Sequence, residues 1–180
     1  MKQRQTRALV LSGGGTAGGA WMAGYISALR GQGVDLGDAD LIIGTSAGAR
    51  TAAQLATGTL SEAVRRYRHG GIPAVELYAT LPEFMAASMR IIAEAPDEQE
   101  AARRVANMGP LGGQLASAAE RHRLMAALLP AADWPGQRLL ITAVDAETGH
   151  RVAFGADSGA GLLEAVAASG ALPGMFPLVT

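Results

Sequence analysis

Apolar positions in this chain come in short runs, each followed by glycine and then by a stretch with helical spacing. Ala8–Ser12 ("ALVLS") reads as a short buried strand leading into a glycine turn. The segment "AWMAGYISALRGQG" then predicts a helix of about three turns, closed by Gly31 and Gly33. After the polar turn "GVDLGDAD", the run "LIIG" (Leu41–Gly44) is a second strand, and "TSAGARTAAQLATG" is an alanine-rich helix ending at Gly58. Residues 8–57 thus spell strand, turn and helix twice over, with crossovers long enough for parallel strands.

Further along, Thr59-Leu-Ser-Glu62 matches a capping box that opens the basic helix "EAVRRYRH", which stops at Gly70 and Gly71. Residues 81–129 are helical in character. Pro82 and Pro96 stand near helix starts, Asp97 and Glu98 suit a first turn, and Gly112 with Gly113 breaks two helices. "RLLITAV" (138–144) returns to strand, and "DAETGHRVAF" turns into another. Residues 161–169 form a last helix, and "GALPGMFPLVT" bends toward a further strand. With no repeat and no low-complexity linker, residues 1–180 form a single domain with a helical subregion at 81–129.

Bulk composition narrows the function. With 49% hydrophobic and 17% charged residues among 180, the chain can bury a real core. A formal net charge of -1 gives no sign of a nucleic-acid partner, which would call for a basic face. The absence of cysteine removes disulfides, thiolate nucleophiles and cysteine zinc sites. The three histidines, His69, His122 and His150, form no metal-binding pattern, so no metal is expected. The first apolar run is too short for a signal-peptide core, and no window is long enough to span a membrane. The expectation is a soluble, cytoplasmic protein.

Two glycine patterns carry the candidate chemistry. Residues 13–18 read G-G-G-T-A-G and satisfy G-x-G-x-x-G, but a chain with 24 glycines yields roughly 0.4 such matches by chance. A dinucleotide site also needs a second strand ending in an acid about 20 residues on. Asp35 is near that distance, but "RGQGVD" before it is no strand. Residues Gly44, Thr45, Ser46, Ala47 and Gly48 form G-x-S-x-G between an apolar strand and a helix, where a nucleophile elbow must be. The two glycines relieve collisions where strand and helix pass closely, and Ser46 Oγ projects at the positive end of the helix dipole. A serine attacking an acyl carbonyl generates an oxyanion, which needs backbone N–H groups converging without side chains in the way. Gly13, Gly14 and Gly15, on the loop after the neighbouring strand, are candidates to supply them. The blander alternatives are a plain tight turn at 13–15 and a small helix-capping residue at 46. For proton transfer, Asp145 and His150 follow Ser46 in the order of an α/β-hydrolase triad, but they flank one turn. The scarcity of histidine favours a Ser–Asp dyad, with the carboxylate held against the serine and partly desolvated.

The segments "LSGGGTAGGAW", "LIIGTSAGA", "ITAVDAETGHRVAF" and "AVAASGALPGMFPLVT" resemble the patatin-like phospholipase family over most of the chain. That resemblance implies a three-layer α/β/α sandwich with a mainly parallel central sheet. It makes Ser46 the nucleophile and Gly13, Gly14, Gly15 and Gly18 the oxyanion loop. It also implies hydrolysis of lipid acyl esters without metal or organic cofactor; peripheral contact with a membrane is a separate expectation. Two departures stand out. Ala17 occupies a position where many members carry Arg or Lys, so a positive charge near the oxyanion is lost. None of the seven aspartates (35, 38, 40, 97, 133, 145, 157) is followed by glycine, whereas the family's dyad aspartate lies in Asp-Gly. The favoured expectation is an N-terminal portion whose remainder, in the same or a separate chain, carries that aspartate, leaving these residues alone weak or inactive. An inactive product and a substituting internal aspartate such as Asp145 are the alternatives. An acyltransferase and a catalytically inactive lipid-binding or regulatory module are the other functional readings.

Lesser features have plainer explanations. Met85, Met89, Met108 and Met125 are read as helical core packing rather than an acyl channel. Arg65, Arg66 and Arg68 are read as a solvated helix face, Arg50 as an exposed helix residue, and Trp21 and Trp134 as packing.

Overall fold

The computed structural model describes residues 6–70, 77–111, 116–130 and 133–179. Four strands form one sheet in the order β1 (Ala8–Leu11), β2 (Leu41–Thr45), β3 (Leu139–Val144) and β4 (Arg151–Phe154). The first three are parallel, with Leu11 level with Gly44 and Thr45 level with Thr142, and β4 returns antiparallel along β3 as the expected hairpin. Helices α1 (Gly15–Gly31), α2 (Ala47–Ala56), α3 (Leu60–Arg68), α4 (Leu77–Glu94), α5 (Glu98–Ala106), α6 (Ala118–Leu128) and α7 (Leu162–Ser169) complete the regular structure. The result is a mixed α/β fold, a mainly parallel sheet flanked by helices, as the sequence predicts.

Helix α2 lies at the centre. It packs on all three parallel strands, with α1, α3 and α7 against its flanks. A helix so enclosed must be apolar nearly all round and thin, and Ala47, Ala49, Ala52 and Ala53 satisfy both needs. Its buried polar groups are tied inward: Thr51 Oγ1 donates to Ala47 O, and Gln54 Nε2 donates to Leu128 O. The strand residues facing this layer, Leu11, Ile42, Leu139 and Ile141, are buried. At full burial each such side chain contributes about 1.5–3 kcal/mol. Val10, on the other side of β1, is 66% exposed. A smaller cluster joins Phe84 of α4 to Met175 and Phe176.

The structure corrects several local expectations. Helix α1 begins at Gly15, within the glycine loop, because Gly18 N–H reaches Gly14 O at 2.9 Å despite the poor helix propensity of glycine. Thr59 stands at the N-cap of α3 but makes no side-chain cap; its hydroxyl lies near Thr57 Oγ1 and Gln54 O, while Glu62 pairs with Arg66 at 2.6 Å. The capping box instead opens α6, where Ser117 and Glu120 bond reciprocally. Pro82 lies inside α4, whose packing through Phe84 carries the helix past it. Residues 171–179 form turns rather than a strand; Pro173 and Pro177 lack N–H groups and Gly174 has φ 78°. Gly71, Gly112 and Gly113 lie outside the described residues.

Candidate active site

The two glycine patterns meet in space. Because β1 and β2 are neighbours in register, the bend after Leu11 and the bend after Thr45 open at the same end of the sheet. A Cβ added at Gly13 would lie 3.6 Å from Ser46 Cβ. Gly48 presses against the end of β1 so closely that a Cβ there would sit 2.5 Å from Ser12 O and closer still to the Leu11 carbonyl. A Cβ at Gly44 would meet Ala49 Cα and Gly48 O, each at 2.6 Å. Any side chain at either position would push α2 off the strands, so these glycines are what let the turn close.

Ser46 is the only described non-glycine residue with positive φ, at φ 55° and ψ -117°. Such a conformation costs about 1–3 kcal/mol and persists only where the surroundings over-determine it. Here the flanking glycines constrain it, and its own N–H donates to Ser169 Oγ at 2.8 Å. The side chain does not act as a helix cap, and it is half-buried, hydrogen-bonding to no described residue. Ser46 thus stands at the N-cap position of α2 without bonding the helix through its side chain. The strained turn holds a hydroxyl with no structural partner at the start of α2.

Opposite it, the N–H groups of Gly13, Gly14 and Gly15 donate to no described protein group. Gly18 is not part of that set: its amide is committed to Gly14 O, and the tight position is Gly14, where an added Cβ would lie 2.9 Å from Gly18 Cα, whereas one on Gly18 would meet only Gly13 O at 3.9 Å. Beside the elbow, Thr45 Oγ1 and Thr142 Oγ1 share a hydrogen bond of 2.7 Å that fastens β2 to β3. A serine hydroxyl without a partner among the described residues, on a turn that Gly13 approaches closely, is an arrangement suited to acyl transfer.

Asp145 stays with its hairpin. Its carboxylate accepts from the Thr148 N–H and hydroxyl and from Glu147 N–H, and these bonds hold it below the usual carboxylate range. It makes no hydrogen bond to Ser46, and His150 is exposed beside it. Asp35 is committed to Arg30 and Gly37 N–H, and Asp97 caps α5.

Several residues read as incidental occupy other environments. Arg50 is half-buried rather than exposed; it donates to Tyr67 Oη at 2.9 Å, and both side chains crowd Gly19. A Cβ on Gly19, a fifth glycine to which sequence reading assigned no role, would come 2.6 Å from that Tyr67 oxygen and 2.9 Å from Arg50 Nη2, so those two flexible side chains would have to shift to admit it. Trp21 is 67% exposed and stacks on Tyr25 at 5.3 Å, while Trp134 packs on the core and donates to Ala160 O. Met85 and Met89 are exposed, Met125 is half-buried, and Met108 joins the Phe84 cluster. Arg65 and Arg68 face solvent, whereas Arg66 is half-buried between Glu62 and Ala127 O.

Fold and site together define an α/β protein organised around a strand–serine–helix elbow with a glycine-rich loop beside it. The chain belongs to the patatin-like phospholipase family, whose profile matches residues 9–180. Among solved structures it is similar to the type III effector protein ExoU, with 23% identity and a TM-score of 0.48. That match covers 94% of this chain and 41% of the ExoU chain, so these residues span less than half its length. No curated protein sequence matches the chain.

Proposed function

We propose that this protein is a lipid acyl hydrolase in which Ser46 is the nucleophile and the amides of Gly13, Gly14 and Gly15 bind the oxyanion. The observation that carries the reading is the strained backbone at Ser46, which presents an unengaged hydroxyl next to that loop. Ser46 Oγ attacks the ester carbonyl carbon and gives its proton to a carboxylate base. The tetrahedral intermediate's oxygen takes hydrogen bonds from the loop, the C–O bond to the alcohol breaks, and the alcohol leaves with the proton. Water then attacks the acyl-serine by the same sequence and releases the fatty acid.

The base is an aspartate outside these 180 residues. In support, no aspartate here precedes glycine, and the carboxylates of Asp35, Asp97 and Asp145 are engaged elsewhere. The substrate is drawn from a lipid surface. Trp21 and Tyr25 on α1, with Met85, Met89 and Ile92 on α4, are exposed apolar side chains suited to peripheral contact. Among the described residues no helix is long and apolar enough to cross a membrane.

The test is fluorophosphonate labelling of the complete gene product, with Ser46→Ala as control. Labelling confined to Ser46 is expected, and an unmodified Ser46 would end the proposal. Residues 1–180 alone are expected to turn over esters weakly, so robust hydrolysis by them would put the base inside this segment. Release of acyl-alcohol rather than fatty acid when alcohols are supplied would reassign the reaction as transfer.

A further inference from the structure

Ser169 is the last residue of α7, 123 positions after Ser46, and its Oγ accepts the Ser46 N–H at 2.8 Å. We propose that Ser169 is a positioning residue that holds the elbow in its strained form; this rests on the reading of Ser46 as nucleophile.

The geometry shows why the bond matters. At φ 55° the Ser46 N–H points away from α2 toward α7 and has no helical partner. Relaxing φ to a negative value would swing both that N–H and the side chain, so the acceptor that fixes the amide also fixes the direction of Oγ. The same bond occupies the Ser46 amide, leaving oxyanion binding to the loop amides across from it.

Ser169 is itself held in place. Helix α7 packs on β3 and α2 through the buried Leu162, Ala165 and Val166. Its C-terminal turn is pinned by Arg121, whose Nη2 donates to Ala167 O at 2.9 Å while its guanidinium lies 4.2 Å over the Phe176 ring. The Arg121 side chain is buried and finds no carboxylate among the described residues, so its cation serves the negative end of α7. The hydroxyl at residue 169 is thus presented from a braced helix end rather than from a loop.

The experiment compares Ser169→Ala with Ser169→Thr in the complete gene product. Three quantities are read: the rate of fluorophosphonate labelling at Ser46, kcat and KM on a short acyl ester, and hydrogen exchange of the Ser46 amide. Ser169→Ala should lower labelling and kcat by about 10- to 100-fold, the usual penalty for a misaimed reacting group, with KM within about twofold. Its Ser46 amide should exchange faster, and Ser169→Thr, which keeps the acceptor, should restore all three. Wild-type labelling and amide protection in Ser169→Ala would overturn the positioning role and leave the nucleophile standing. Equal losses in the Ala and Thr variants would show that residue 169 matters only for packing, which also overturns it. Absence of labelling in the wild type would instead remove the nucleophile, and the positioning role with it.

Discussion

Gly48→Ala and Gly24→Ala make the same chemical change at two helical glycines and should move stability in opposite directions. At Gly48 the new methyl would stand 2.5 Å from Ser12 O and even nearer the Leu11 carbonyl, all backbone atoms of the end of β1. No side-chain rotation relieves such an overlap, so either α2 slides or β1 leaves its register with β2. Overpacking of this kind costs about 1–3 kcal/mol where side chains can adjust, and the rigid backbone puts Gly48→Ala at the upper end, about 3 kcal/mol. At Gly24, in the middle of α1, an added Cβ meets nothing within 4 Å. Only the helix preference remains there, and alanine should stabilise by about 0.5–1 kcal/mol. For a domain of this size 1 kcal/mol corresponds to about 2–4 °C in Tm. Thermal unfolding followed by circular dichroism should therefore fall by about 6–12 °C for Gly48→Ala and rise by about 1–4 °C for Gly24→Ala. Gly48→Ala should also lose labelling at Ser46, since the turn that aims the hydroxyl no longer closes. A Gly48→Ala protein that melts with the wild type and labels normally would refute the claim that strand and helix meet at this glycine.

Ser46→Gly should remove backbone strain along with the hydroxyl, raising stability by about 1 kcal/mol while abolishing labelling; a lower unfolding midpoint would contradict the strain. Ser117→Ala should cost about 1 kcal/mol through loss of the capping box, and Thr59→Ala less than half of that, read as urea midpoints. Glu100 accepts hydrogen bonds from Arg103 and Arg104, which lower its pKa from 4.5 to about 2. A carboxylate so depressed contributes stability that is present above pH 4.5 and lost as pH falls toward 2. Glu100→Gln should flatten that acid limb modestly, the pair being exposed, and identical pH profiles would rule the contribution out.

How much of this was legible in advance depends on how far apart the interacting residues lie. Strand, turn and helix in residues 8–57, the hairpin after β3 and the last helix are written locally, in runs of Leu, Ile and Val broken by glycine. The elbow was legible for the same reason: Gly44 and Gly48 flank Ser46 within one turn, so the steric need and its answer are near neighbours in the chain. Capping was less legible. Thr59–Glu62 and Ser117–Glu120 carry the same spacing, yet only the second closes, because Thr59 is drawn to the end of α2 and Glu62 to Arg66.

The chain by itself thus determined the local conformations and the residue types at the two bends, since both follow from steric and hydrogen-bonding demands among residues within a turn or two. Only the tertiary structure decided that the bends adjoin, that Gly19 lies against the ends of the Tyr67 and Arg50 side chains, and that Ser169 reaches the Ser46 amide. Those contacts join residues from 17 to 123 positions apart, and no local pattern encodes them. They arise because α2, buried against three strands, leaves its neighbours one way to pack.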